Sequence, residues 1–349
     1  MRLRQENGGG VLAPGTRRVG AWALILAAVL FFLPALLLLG REEGGEEESL
    51  PQATLPADPS AAAASGRDRG RVVRLLQEDG QVTEMTMADY LWGVVAAEMP
   101  ASFELEALKA QACAARTYTL RAQNSAGSKH PGADICTQST CCQAYVERGA
   151  AEARWGLNAG EYGDKIDQAV AQTDGLGILY QGEPIQALFF SSAPGKTVDA
   201  VEVWGNSVDY LKSVDSPEGE EVPNYHSQVV LSEQQVQEAV LAAYPGADLS
   251  GEPDTWFSQI SREGDGAVTS LVLGGITLTG SQVRTLFSLR SAAFSLTWDG
   301  SSFTFDVTGY GHGVGMSQYG ANALAKEGKT FEEILTWYYT GTQVAALWD

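Results

Sequence analysis

Three groups of residues in this chain carry side chains able to do chemistry. The first is a single carboxylate, Glu98, in the run YLWGVVAAEMP from Tyr90 to Pro100. Pro100 disfavours helical geometry at Met99, so a helix arriving from the N-terminal side stops near Glu98. A carboxylate there faces the negative end of the helix dipole, which disfavours its charge and raises its pKa. Taken alone, a glutamate at a helix end is an ordinary surface residue. The second group is His130, Cys136, Cys141 and Cys142, the densest cluster of ligand-type residues in the chain. Four such ligands fit a tetrahedral Cys3His zinc site. The spacing is not a CxxC…CxxC arrangement, and in an oxidising compartment disulfides joining Cys136 or Cys113 to Cys141 or Cys142 are the alternative. The third is His312, set among glycines 309, 311, 313 and 315. Such a loop lets backbone come close to a ligand, and the imidazole can orient, hydrogen-bond or exchange a proton there.

The elements that must position these groups follow from periodicity and turn chemistry. Thr86 to Gln123 reads as two helices broken at Met99-Pro100. Thr86 with Asp89 caps the first, and Tyr90, Leu91, Val94, Val95 and Met99 form its apolar stripe. On the second, Lys109, Cys113 and Arg116 share one face, beside an apolar stripe of Leu105, Leu108, Ala112 and Ala115. Such a basic face can hold Glu98 ionised, position an anionic sugar substituent, or simply be solvated. Hairpins are expected at Asp79-Gly80, at Gln181-Gly182, at Gly274-Gly275 and at Asp299-Gly300. A further helix lies within Glu152–Gln172, and extended pieces cover Val203–Gly205 and Tyr210–Val214. Helices follow from Ser232 (capped with Gln235), from Ser281 to Leu289, from about Ser317 to Lys326, and from the Thr330/Glu333 capping box. The expected class is α+β, with mixed helices and antiparallel hairpins.

Lysine and arginine number 23 against 43 acids, a formal charge of −20. That balance argues against general binding to nucleic acid or anionic headgroups, and no Gly-rich phosphate loop is present. Residues 1–18 carry Arg2, Arg4, Arg17 and Arg18 against Glu6 alone, and residues 19–40 are an uncharged apolar run. The run is long enough to span a bilayer of roughly 30 Å. The arginines before it and the glutamates after it place the N-terminus in the cytoplasm. A cleaved signal peptide is the competing reading, against which stand the length of the run and the lack of a small-x-small site. Residues 41–71, acidic and then rich in Pro, Ala, Ser and Gly, read as a flexible linker, and 72–349 as the folded domain.

YLWGVVAAEMP, LKAQACAARTYTL, FFSSAPGKT, DYLKSV and GHGVGMSQYGA together resemble the SpoIID/LytB family, over roughly Val72 to the C-terminus. The resemblance implies a membrane-anchored lytic transglycosylase working on peptidoglycan during engulfment in sporulation. It would cleave the MurNAc–GlcNAc bond of peptide-free glycan strands and leave 1,6-anhydro-MurNAc ends. Glu98 matches the family's catalytic glutamate, and His130, Cys136, Cys141 and Cys142 fall where sporulation members hold a structural zinc. One of the paired positions can be histidine in the family; here Cys141 occupies it, which keeps a ligand but leaves the site's charge and ligand assignment open. Expected to line a glycan groove are Ser191, Ser192, Lys196, Tyr310, His312, Gln318 and Tyr319, with Lys109 and Arg116 in substrate or structural roles. The implied partners are glycan strands, a wall amidase and a membrane scaffold protein, at the mother-cell membrane facing the septum. Two other classes compete: a non-catalytic wall-binding activator of another hydrolase, as LytB-type relatives are, and a zinc amidase using the Cys/His cluster directly.

Overall fold

A computed structural model describes residues 66–124, 129–262 and 266–348. The expected cytoplasmic segment 1–18, the spanning helix 19–40 and the linker up to residue 65 lie outside the described residues. No helix among the described residues is long and apolar enough to cross a membrane. The class is α+β with mostly antiparallel sheets, as expected.

The fold starts earlier than composition implies. Asp68–Gly70 forms a 3-10 turn, and Asp68 is 1% exposed with its carboxylate on the fully buried Arg116. Residues 66–71 therefore belong to the folded body and not to the linker. β1 (Val72–Leu76) and β2 (Val82–Thr86) form the expected hairpin, and β1 also takes β3 (Ile135–Cys136) in parallel on its other edge. α1 (Met87–Glu98) begins where the Thr86 hydroxyl accepts the Asp89 N–H at 3.1 Å. It ends on Glu98, ahead of the proline, as its sequence requires. α2 (Leu105–Asn124) follows. The single helix expected within 152–172 is two, α3 (Arg148–Trp155) and α4 (Ala159–Gln172), separated at Gly156. β4 (Leu176–Tyr180) turns at Gln181-Gly182 into β5 (Glu183–Pro184), and β6 (Phe189–Phe190) leads to the 191–197 loop. Ala200–Trp204 is a helical turn, α5, with Asp199 as its cap, where extended chain was expected. A five-residue stretch carries too little periodicity to tell the two apart.

Residues 226–308 build a lobe with its own core. Two three-stranded antiparallel sheets make it up: β7 (His226–Ser232) with β12 (Ser302–Thr308) and β11 (Phe294–Trp298), and β8 (Phe257–Arg262) with β9 (Val268–Leu273) and β10 (Ile276–Thr279). α6 (Glu233–Ala243) and α7 (Gly280–Leu286) cover them. Phe294, Phe303 and Phe305 are buried: Phe257 meets Phe303 and Phe294 meets Phe305 edge to face, and Phe287 lies tilted against Phe305. Truncating such a ring costs about 3–5 kcal/mol. The chain enters and leaves the lobe side by side, the Gly309 N–H donating to the Tyr225 carbonyl at 2.8 Å.

After the glycine loop, β13 (Met316–Ser317) pairs in parallel with β6, and α8 (Gln318–Lys326), α9 (Phe331–Tyr338) and β14 (Gln343–Ala346) complete the body. α2 is its axis: α1, α4, α8, α9 and β4 all pack on it. Ala107, Ala110, Ala112, Ala114 and Ala115 are buried over more than half of the helix circumference, where neighbours approach closely, and Cys113 and Arg116 are buried on the rest.

Candidate active site

Glu98 is clasped between two segments distant in sequence. Its Oε1 accepts the Ala144 N–H at 2.6 Å, and its Oε2 accepts from Gln318 Nε2 at 3.3 Å. Burial pushes its carboxyl above the ordinary carboxylate value, against the pull of these two donors. Both donors are neutral. Lys109 instead pairs with Glu106 at 2.6 Å and lies over the Phe331 ring, so the basic face of α2 does not hold Glu98 ionised.

Each donor is positioned by a local feature of the sequence. Gly93, five residues before Glu98 on the same helix, has no room for a side chain: a Cβ there would lie 2.3 Å from the Tyr145 ring. The 143–146 segment therefore runs against α1, with Val146 N–H on the Gly93 carbonyl and Gln143 Nε2 on the Tyr90 hydroxyl at 3.1 Å. That close approach delivers the Ala144 N–H to Glu98. On the other side, Gly315 takes φ +79°, and a Cβ there would meet the Leu188 carbonyl oxygen at 2.1 Å. Only glycine lets β13 lie against β6 and start α8 with Gln318 facing Glu98. The loop after Glu98 docks on the same helix, by the Glu104 N–H on Asn322 Oδ1 at 2.8 Å and by Phe103 edge-on to Tyr319.

The other expected site residues separate into those near this centre and those engaged elsewhere. Ser191 meets α8 through its carbonyl, which accepts the Tyr319 N–H at 3.0 Å. Tyr310 is 44% exposed. Ser192 is buried in a backbone pair with Tyr310, so its hydroxyl faces no groove. Lys196 is exposed and pairs with Asp215 at 3.1 Å. Arg116 has no exposed surface: Asp68 takes its Nη2 at 2.6 Å and the Leu176 carbonyl its Nη1 at 2.8 Å. A substrate role for Arg116 is therefore corrected to a structural one. His312 is also committed. Its Nε2–H donates to the Phe189 carbonyl at 3.1 Å, its Nδ1 accepts the Val314 N–H at 3.2 Å, and burial lowers its pKa to about 4. A neutral imidazole with both nitrogens engaged ties the loop to β6 and leaves neither nitrogen open to a ligand.

One functional neighbour has no signal in the sequence. Glu218 is 4% exposed and receives the Ala193 N–H at 2.6 Å, the Ser216 hydroxyl at 2.6 Å and the Ser317 hydroxyl. Ser317 caps α8 immediately before Gln318, so this buried carboxylate ties the 191–193 loop to the helix that reaches Glu98.

His130, Cys136, Cys141 and Cys142 converge, their ligand atoms all within 4.8 Å of one another, and none of the four cysteines is in a disulfide. His130 Nε2 lies 3.3 Å from Cys142 Sγ and 3.6 Å from Cys141 Sγ, and the two sulfurs are 4.0 Å apart. A tetrahedral zinc with bonds of about 2.0–2.3 Å sets ligand separations of about 3.5–3.8 Å, so the donor set fits a metal of this kind. Cys113 stands apart, buried on α2 beside Arg116.

The SpoIID family profile, described as "Stage II sporulation protein", matches residues 77–180. The chain is 34% identical to stage II sporulation protein D of Bacillus subtilis (strain 168) over 328 residues, covering 92% of this chain and 94% of that protein. It is 37% identical to stage II sporulation protein D of Bacillus amyloliquefaciens over 266 residues, 76% of this chain and 75% of that one. A more distant likeness, 29% over 314 residues, is to a B. subtilis protein named amidase enhancer, of which 40% is covered.

Proposed function

The chain belongs to the SpoIID family of stage II sporulation proteins, and from that premise we propose that it is a lytic transglycosylase acting on peptide-free peptidoglycan glycan strands. The observation that carries the reading is the state of Glu98: one half-buried carboxyl, shifted away from ionisation by desolvation, held at both oxygens by neutral donors. Ordinary glycosidases need two carboxylates. A lytic transglycosylase needs one, because the muramic acid's own C6 hydroxyl attacks. Glu98 protonates the glycosidic oxygen as its bond to C1 breaks. The carboxylate so formed takes the proton of the C6 hydroxyl, whose oxygen closes on C1 to give the 1,6-anhydro end. The Ala144 N–H keeps Oε1 an acceptor in both states, which leaves Oε2 to carry the proton. The Gln318 side-chain amide suits Oε2 in both: its nitrogen donates to the carboxylate and its oxygen can accept from the acid.

The Cys3His set would hold zinc. Bound there, the metal supplies rigidity to the 130–142 loop and no reactive water, because four protein ligands leave no open position. The apolar run 19–40 supports a single-pass anchor with the catalytic domain outside the cytoplasm, at the mother-cell membrane facing the septum. A wall amidase that strips stem peptides and a membrane scaffold protein are the partners this reading calls for.

The likeness to the amidase enhancer favours one other reading, a wall-binding activator without catalysis of its own. Incubating peptide-free glycan with the protein and with its Glu98→Gln variant separates the two. Release of 1,6-anhydro-muramic products by the native protein alone supports the enzyme. No release by either supports the activator.

A further inference from the structure

Where the lobe meets the glycine loop, two arginines stand without acids. Arg284, on α7, donates its Nε to the Arg290 carbonyl at 3.1 Å, and the same carbonyl accepts the Gly311 N–H at 2.9 Å. The Arg290 guanidinium lies 4.0 Å above the Tyr310 ring. Neither arginine forms an ion pair among the described residues. The Nε of Arg290 is buried with no hydrogen-bond partner. Burial pushes the Arg284 guanidinium below its ordinary pKa, and what offsets this is the Tyr310 phenol and no acid. In a chain of charge −20, two half-buried and unpaired arginines that both reach Tyr310 are costly without an anion to meet them.

The surroundings indicate what kind of anion. Tyr310, 44% exposed, lies under Arg290, and Trp204, 48% exposed, stands beyond His312, whose ring lies against both Trp204 and Phe190. Exposed aromatic faces beside charged donors suit a ligand with an apolar face and a polar edge, as a sugar ring has. The segment from Tyr310 to Gln318 joins this cluster along the chain to the clasp on Glu98.

We propose that Arg284 and Arg290, gathered at Tyr310, form a subsite for the 3-O-lactyl carboxylate of a muramic acid residue that has lost its stem peptide. The inference rests on the glycan-strand reading above and gives the lobe a task within it. In a peptide-bearing strand the lactyl group is an uncharged amide followed by bulk. Removing the peptide by amide hydrolysis exposes a carboxylate, which an arginine pair can take with charge-assisted hydrogen bonds. The lobe thus distinguishes a strand that an amidase has already processed.

The test uses the full-length chain in detergent carrying Glu98→Gln, so that nothing is cleaved. Calorimetric titration compares three glycans of equal length: peptide-free GlcNAc–MurNAc oligomers, the same oligomers with the lactyl carboxylates methyl-esterified, and neutral chitin oligomers. The acid form is expected to bind at least tenfold tighter than the ester at low salt, with the gap closing as salt rises. Arg284→Gln with Arg290→Gln is expected to abolish the gap, and the two lysine replacements to retain part of it. The acid–ester comparison and its salt dependence need no variant, so a misfolded double mutant does not spare the proposal. Equal binding of acid and ester, or a gap that persists in a folded double variant, overturns the subsite alone. Failure to bind any of the three glycans overturns the substrate reading and the subsite with it.

Discussion

The backbone N–H of Ala144 donates to Oε1 of Glu98 at 2.6 Å, and Ala144 stands two residues beyond Cys142 of the Cys/His cluster. The loop that gathers four metal-ligand side chains is therefore continuous with the segment that orients the carboxyl. Gln143, between them, is buried and bonded to Tyr90 and Thr119, so the link has no slack.

That continuity predicts a shared fate. Chelation, or Cys142→Ser, is expected to lower the melting temperature and the rate together. A site loaded to 100 times its Kd contributes about 2.7 kcal/mol, or roughly 5–10 °C for a domain of this size. Thermal melts with and without chelator, read beside metal content, check this. Loss of activity with an unchanged melt would instead place the metal in the chemistry.

Glu98 predicts a pH dependence with a defined sign. Its folded pKa is raised by burial, so the favourable contribution to stability is fully present below the ordinary carboxylate value and is lost as pH rises through the folded value. At neutral pH the native carboxyl is therefore destabilising, and Glu98→Gln is expected to melt higher than the native protein. The difference should vanish in acid. Activity, which needs the protonated form, is expected to fall over the same alkaline limb, and Glu98→Gln to lower it by about 10²–10⁴.

Gly93→Ala tests the approach of the 143–146 segment. Its Cβ would lie 2.3 Å from the Tyr145 ring and 2.8 Å from the Val146 carbonyl oxygen. The segment must move, taking the Ala144 N–H with it. A fall in kcat of about 10²-fold with little change in KM is expected, the effect of misplacing a catalytic group by about 1 Å. A change confined to KM would contradict this role.

Arg116 and Asp68 form the buried pair that fastens the start of the domain to α2. Asp68→Ala is expected to cost about 3–5 kcal/mol in denaturant unfolding, because it strands a buried guanidinium. Asp68→Ala with Arg116→Met should cost less than the single change. A substrate role for Arg116 predicts instead a raised KM at unchanged stability.

Much of this architecture is legible in the sequence because it is set locally. The capping residues Thr86, Ser232 and Thr330 start helices where their hydroxyls fall, and Asp79-Gly80, Gly274-Gly275 and Asp299-Gly300 turn hairpins as expected. The gathering of the Cys/His cluster is legible from residue types, whereas Gln318 reads only as a groove residue and its bond to Glu98 is set by the fold. What was not legible depends on distant partners. β3 and β6 are two residues long and exist only through parallel pairing with β1 and β13. Asp68 sits in a stretch whose composition reads as linker, and only Arg116, far along the chain, gives it a place in the core. Glu218 looks like one more acid in an acidic loop until Ala193, Ser216 and Ser317 close around it. His312 looks free among its glycines, yet one ring nitrogen is taken by the loop's own Val314 N–H and the other by the Phe189 carbonyl of β6.

The one-carboxylate mechanism is tested most directly by digesting peptide-free glycan in H2(18)O and weighing the products. Attack by the muramic acid C6 hydroxyl predicts 1,6-anhydro ends that carry no heavy oxygen, absent when Glu98→Gln replaces the native protein. Reducing ends labelled with one heavy oxygen would mean that water attacks C1, and would contradict the account.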